Sequence, residues 1–228
     1  MENIVISLGG SLIVPNGGVN TSFLKEFNSF IRQQITATNR RFFIVCGGGA
    51  IARNYQKAAQ EVIGKITSDD IDWLGIHATR LNAHLLRTIF RDIAYFRVKK
   101  HFNQKDEVKE RLMIASGWKP GWSTDYDAIL LAQEYGAKII INLSNITMVY
   151  NKDPNRYSDA IPQPKMSWEQ FRKLVGNKWD PGMNAPFDPV AAKKAQELGL
   201  EVVILRGNDL ENLKKYLNKE EFVGTVIK

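Results

Sequence analysis

The sequence predicts an α/β fold built on a parallel sheet, and three observations carry that expectation. Short apolar, β-branched runs alternate with helix-like segments along the chain. The opening segments follow a strand, helix, strand, glycine-turn rhythm, the pattern of a βαβ unit. Three of the predicted strands end in glycine-rich or small-residue turns, at Gly9 to Ser11, Gly47 to Gly49 and Gly117 to Thr124. In open α/β sheets such turns gather at the carboxyl ends of the strands, where ligands bind.

Ile4 to Val14, IVISLGGSLIV, reads as a buried first strand that ends in a glycine turn and passes into a second apolar run. Residues 20–35 place Phe23, Leu24, Phe27, Phe30 and Ile31 on one helical face, with Asn20, Thr21 and Ser22 as caps. Phe42 to Cys46 is a second strand, ending in three glycines. A helix from about Ala50 to Val62 follows. The next, from Asp70 to about Ile93, turns Ile71, Leu74, Ala78, Leu81, Leu85 and Ile89 inward and carries acidic residues in its first turn, where they oppose the helix dipole.

Residues 95–111 are mixed and basic, and read as a strand, an exposed loop and the approach to a strand at Leu112 to Ala115. The loop SGWKPGWS feeds a helix that Thr124 or Asp125 would cap. Lys138 to Leu143 is a strand, and SNITMVYN reads as a second strand-like piece. Arg156 to Pro164 is a surface excursion. Ser167 and Gln170 form a capping box; Pro189 starts a helix that Gly199 closes; Glu201 to Leu205, Leu210 to Leu217 and Phe222 to Ile227 are strand, helix and strand.

At 228 residues, 44% apolar and 24% charged, the chain has the length and composition of one large globular domain, without repeat or long linker. The net charge of +7 suits small anionic substrates, nucleic acid or an acidic surface. The one cysteine, Cys46, lies in an apolar run, which rules out an intrachain disulfide and fits a reducing compartment. No apolar segment approaches the ~20 residues that span a bilayer, and the N-terminus lacks a signal-peptide pattern. A cytoplasmic protein without membrane contact is expected.

Three glycine turns suit a ligand with several phosphates, because backbone without Cβ atoms can approach closely and direct N–H groups at the anion. Gly47, Gly49 and Ala52 also fit the dinucleotide fingerprint, but that reading leaves Gly9, Gly10 and the Thr124-Asp125 pair unexplained. There is no G-x-x-x-x-G-K-[ST] run and no nucleophile elbow. His77 and His84 lie two turns apart with no Cys or carboxylate cluster to complete a metal site. The tryptophans Trp118, Trp122 and Trp179 could line a pocket or anchor loops. The basic 97–111 segment lacks the interleaved aromatics of a single-strand platform, so nucleic acid is not expected as a partner. Phosphoryl transfer to an already anionic acceptor needs no general base, only alignment and charge neutralisation. The inventory of glycine turns, cations and carboxylates meets that demand.

These residues resemble the amino acid kinase superfamily and, within it, uridylate kinases of the archaeal-like type. The matching stretches are SLGGSLIVP, CGGGAIARNY, DWLGIHATRLNA, GWKPGWSTDYDA, VYNKDP and FDPVAAKKA, spread over nearly the whole chain. The resemblance implies a three-layer α/β/α sandwich around a mostly parallel sheet of about eight strands, in one domain over residues 1–228. The part from about 1 to 140 would hold UMP and the part from about 141 to 228 ATP, in a homo-hexamer. It implies ATP-dependent phosphorylation of UMP with Mg²⁺ as companion of the donor. Gly9, Gly10 and Ser11 would cradle the transferring phosphates. Gly47, Gly48 and Gly49 with Arg53 would hold the UMP phosphate, Asp72 the ribose hydroxyls, and Thr124 would contact UMP. Asp125 would position the reacting groups or Mg²⁺. Ser144, Asn145, Tyr150 and Asp153 would border ATP, with Lys152 near its phosphates.

Two departures stand out. Many superfamily members carry a lysine two residues before the first glycine pair, where this chain has Ser7, so Lys119 or Lys152 is expected to supply the charge. Relatives commonly read Val-Asp-Gly where this chain has Ile146, Thr147 and Met148. Isopentenyl phosphate and carboxylate kinases of the same superfamily, and a non-catalytic nucleotide or anion binder, are the alternatives. The former typically place a histidine where this chain has Ala52-Arg53.

Overall fold

The computed structural model describes residues 1–176, 178 and 185–228, so the expectation for Trp179 lies outside the described residues. The strands are β1 (Glu2–Leu8), β2 (Arg40–Cys46), β3 (Leu112–Ala115), β4 (Ile139–Ser144), β5 (Lys165–Met166), β6 (Glu201–Arg206) and β7 (Thr225–Ile227). They form one sheet in the order β3-β2-β1-β4-β6-β7-β5. Every neighbouring pair is parallel except β6 and β7. The helices are α1 (Gly10–Ile13), α2 (Thr21–Ala37), α3 (Gly49–Ile63), α4 (Ser68–Ile89), α5 (Thr124–Tyr135), α6 (Trp168–Val175), α7 (Pro189–Glu197) and α8 (Leu210–Leu217).

Strand alternation divides the core into two layers. Ile4, Ile6 and Leu8 of β1, with Phe42, Ile44 and Cys46 of β2, face α1, α2, α4 and α8. Val5, Phe43 and Val45 face the other way, toward α5, α6 and α7. The central strands are apolar on both faces because helices cover both, and the molecule is the three-layer sandwich that the resemblance implies, with seven strands among the described residues where about eight are expected.

Several local expectations are corrected. The apolar run after Gly9, to which no element is assigned above, winds into the single turn α1. On α4 the inward stripe is Ile76, Ala78, Thr79, Asn82, Ala83 and Leu86, whereas Leu81 is 60% exposed. The helix starts earlier than expected, capped by Thr67, and ends at Ile89. Ser123, not Thr124 or Asp125, caps α5 by accepting from the Tyr126 amide at 3.2 Å. Residues 95–111 form no strand and contribute one bridge, Lys99 to Ala115, just after the bridge of Ala94 to Leu112. SNITMVYN is not a strand beyond the start of the loop; it bends, and only Tyr150 bridges to Pro162. Both SNITMVYN and 95–111 meet a neighbour only at single positions, too few to build a ladder, and apolar content alone leaves the rest irregular. The capping box of Ser167 and Gln170, and the Pro189 start and Gly199 close of α7, form as expected.

Candidate active site

Strand order reverses between β1 and β4, so connections leave these neighbours toward opposite sides and a crevice opens at their carboxyl ends. Gly9 to Ser11 ends β1 and Gly47 to Gly49 ends β2 beside it. The two turns interlock backbone to backbone: a Cβ on Gly10 would stand 2.1 Å from the Gly49 nitrogen, and one on Gly47 would stand 2.5 Å from the Gly10 nitrogen. Side chains are sterically excluded there, which accounts for the glycines before any ligand is considered. The first-turn amides of α1 and α3 have no intrahelical acceptor, as at any helix start. Arg53, exposed one turn into α3, leans across the joint, its guanidinium 3.4 Å from Ser11 Oγ and 3.3 Å from Asn16 Oδ1. Glycine turns, helix amides and an arginine thus converge as an anion site would require.

Helix α4 holds the turns in place. Its buried Asn82 donates to the carbonyls of Gly47 at 2.8 Å and Gly48 at 3.1 Å. Thr79 Oγ1 accepts from the Gly117 amide at 2.8 Å, Arg80 donates to the Trp118 carbonyl at 3.1 Å, and Asp72 accepts from the Gly121 amide at 2.7 Å. One helix therefore fixes both the second glycine turn and the Gly117–Thr124 loop. Asp72, expected to meet ribose, spends one carboxylate oxygen on the loop, and burial pushes its pKa up. Lys119 lies over the loop's own indoles, 4.7 Å from the Trp118 ring centre and 4.1 Å from that of Trp122, a cation–π arrangement. The two tryptophans meet edge to face at 5.0 Å, and so both anchor this loop.

Asp125, the second residue of α5, points back at the sheet. Its Oδ1 accepts from Ser7 Oγ at 2.8 Å and from Asn142 Nδ2 at 3.4 Å, and its Oδ2 accepts from the Asp188 amide at 3.1 Å. Ser7 and Asn142 face each other in the β1–β4 register, which is why both reach one oxygen. Burial first, and then the nearby Asp188 carboxylate, raise the Asp125 pKa to about 6, against the lowering effect of the Ser7 hydroxyl. The Asp188 side chain itself caps α7 through the Val190 and Ala191 amides. Ser7 is thus a partner of the carboxylate and not a stand-in for a cation. Ser7, Asn142, Asp188, Thr79 and Asn82 were not singled out as site residues. Their signal was there as isolated polar side chains in otherwise apolar strands or on an apolar helix face.

Beyond the end of β4 lies a cavity of about 650 Å³. Ser144, Asn145, Tyr150, Lys152 and Asp153 all line it, so the structure brings together the whole set expected to border ATP. Ile146, Met148, Leu174 and Val175 give it an apolar wall. Lys152 is ion-paired with Asp159 at 2.6 Å, and Asp153 accepts from the Asn155 amide at 2.9 Å. Both expected cations therefore already have partners. A smaller cavity of about 290 Å³, lined by Glu2, Ile4, Ile139 and Glu201, sits at the opposite end of β1 and β4, away from every glycine turn.

The amino acid kinase family profile matches residues 2–206. Over its full length the chain is 32% identical to a uridylate kinase of Methanoculleus marisnigri, covering 96% of it. It is 34% identical to that of Archaeoglobus fulgidus, with 98% of this chain and 99% of that protein covered. The crystal structure of the Archaeoglobus fulgidus uridylate kinase superposes with a TM-score of 0.83 at 33% identity, each chain covered completely. A UMP kinase from Bacillus anthracis, at 18% identity and a TM-score of 0.78 over all of this chain and 96% of that one, shares the fold. The chain belongs to the amino acid kinase family and, within it, groups with the archaeal uridylate kinases.

Proposed function

We propose that this protein is a nucleoside monophosphate kinase that transfers the γ-phosphoryl group of ATP to UMP, giving UDP and ADP. The observation that carries this reading is the joint of two interlocked glycine turns with Arg53 leaning across it, Asp125 bonded to Ser7 on the strand that leads into the first turn, and a donor-sized cavity beyond the end of the neighbouring β4. Full-length likeness to uridylate kinases supports the choice of acceptor. A UMP phosphate oxygen attacks the γ-phosphorus, the new P–O bond forms as the bond to the β-phosphate oxygen breaks, and ADP leaves with that electron pair. The acceptor oxygen is already anionic, so no side chain need remove a proton. Residues to about 140 hold the acceptor in this reading and those from about 141 the donor.

Gly10, Ser11, Gly48 and Gly49 offer amides to the phosphates, Arg53 adds charge, and Asp72 and Thr124 lie where the nucleoside would extend. Lys119 and Lys152 are weaker supports than their charge suggests, given the indoles and Asp159. Mg²⁺ fits the donor chemistry at Asp125, an oxygen ligand beside a second carboxylate, and hard cations of this kind bind through one or two carboxylates plus phosphates. Bound there, the ion would neutralise phosphate charge. Among the described residues no group of three or more His, Cys, Asp or Glu forms a metal cage without the substrate.

No helix among the described residues is long and apolar enough to cross a membrane, and we place the protein in the cytoplasm. A homo-oligomer, in the family's manner a hexamer, has support in the uncovered faces of α3 and α4. Val62 is 84% exposed, with Tyr55, Ile63, Trp73 and Leu81 also exposed. Purified protein with ATP and Mg²⁺ is expected to form UDP from UMP faster than it phosphorylates CMP, AMP, GMP or isopentenyl phosphate. Absence of UDP above background overturns the assignment.

A further inference from the structure

We infer that Asn82 of α4 is a positioning residue that aims the amides of Gly48 and Gly49 at the acceptor phosphate. The inference rests on the reading of the second glycine turn as the acceptor's anion site and adds the device that orients it. Asn82 is 1% exposed, and its one amide group donates to two consecutive carbonyls, Gly47 at 2.8 Å and Gly48 at 3.1 Å. No peptide bond in the described chain is cis. In a planar trans peptide the C=O and the N–H of the next residue point in opposite directions. Drawing the Gly47 and Gly48 carbonyls toward α4 therefore sends the Gly48 and Gly49 N–H groups away from α4, toward the crevice side.

The backbone dihedrals agree with this account. Gly48 is right-handed helical, at φ −80° and ψ −28°, and Gly49 follows at φ +65°. That alternation turns successive N–H groups to one side and makes an anion-binding concavity. The next amide, Ala50, is committed to the Val14 carbonyl at 2.9 Å, so two N–H groups remain for a ligand. Nothing in the turn itself holds its carbonyls back: the glycines have no side chains, and α3 has no side-chain cap at Gly48. Asn82 is the group that does so, from the middle of a helix packed beside α3.

The test replaces the two donors without changing the packing. Asn82→Asp keeps the shape and Asn82→Leu keeps the volume, and neither holds two carbonyls. Hydrogen bonds to charged groups are each strong enough that misdirecting two of them weakens UMP binding by about tenfold to a hundredfold. The increment in affinity of UMP over uridine, measured by calorimetry or competition, is expected to collapse in both variants. The KM for ATP should stay within about twofold of wild type. General loosening would instead move uridine and ATP together with UMP. Thermal unfolding selects the variant that remains folded. A folded Asp or Leu variant that keeps the full UMP-over-uridine increment overturns the role of Asn82 while leaving the kinase reading intact. Wild-type protein that binds no UMP overturns both.

Discussion

At the scale of single residues, Asp125 carries the prediction for activity and Lys99 the prediction for stability. Folding raises the Asp125 pKa to about 6, so its neutral form is the favoured one in the fold. Its stabilising contribution is complete below the ordinary carboxylate range near 3.9 and is lost as pH rises through about 6. The ionised form, the one proposed to position the phosphates, is thus present at neutral pH at some cost to the fold. Activity is expected to rise through an acid limb near pH 6. The acceptor phosphate titrates at about 6 as well, and a comparison with Ser7→Ala separates the two. Removing the hydroxyl that favours the carboxylate moves only the Asp125 part of the limb to higher pH. Asp125→Asn is expected to abolish turnover and keep UMP binding, and unchanged turnover in that variant would refute its role.

Lys99 is almost wholly buried, and its ammonium meets Asp106 at 3.0 Å, Glu134 at 2.9 Å and the Gln104 carbonyl at 2.8 Å. It pins the basic loop before β3 onto α5. Lys99→Ala leaves Glu134 without its charge partner in a buried place, and a loss of about 3 kcal/mol is expected, read from urea unfolding. A change under ~1 kcal/mol would mean that water reaches the site.

At the scale of elements, legibility follows whether a segment's neighbours are announced by its own sequence. The first two strands, α2 with its five inward residues and the capped α6 carry complete local signals, and they formed where expected. The residues assigned to the glycine turns and the donor cavity were read from motif and resemblance, and the structure gathers most of them. Leu81 failed because a periodic stripe on α4 can be drawn on two adjacent faces. The buried one includes Thr79 and Asn82, polar residues kept inside by their work on neighbouring turns. Ser123 lost the cap to Thr124 and Asp125 in the reading because any of the three can accept from an amide two or three residues on. SNITMVYN has strand composition but meets a neighbour only at its end, around Tyr150, and only tertiary pairing decides such a segment.

At the scale of the whole molecule, the unusual element is α3. Of its fifteen residues only Ala50 and Ala52 are buried, although Tyr55, Val62 and Ile63 are apolar. Apolar side chains left open on a helix are normally covered by another surface. The expected cover is a second copy of this chain, and Val62→Asp should lower the assembled mass in light scattering while the circular dichroism stays native. An unchanged mass would place the interface elsewhere.

The interlocked glycines also bear on how such a site can change over generations. A mutation at Gly10, Gly47 or Gly49 drives a side chain into the other turn's backbone, its Cβ only 2.1 to 2.5 Å from the nearest main-chain atom. No compensating change in a neighbouring side chain can make room, because the obstacle is main chain. Gly17, a few positions away, has nothing within 4 Å of an added Cβ and no left-handed backbone to strain. A lineage can therefore vary a loop position such as Gly17 while the joint between the first two turns stays frozen. Diversity in a mutational library should be far lower at Gly10, Gly47 and Gly49 than at Gly17.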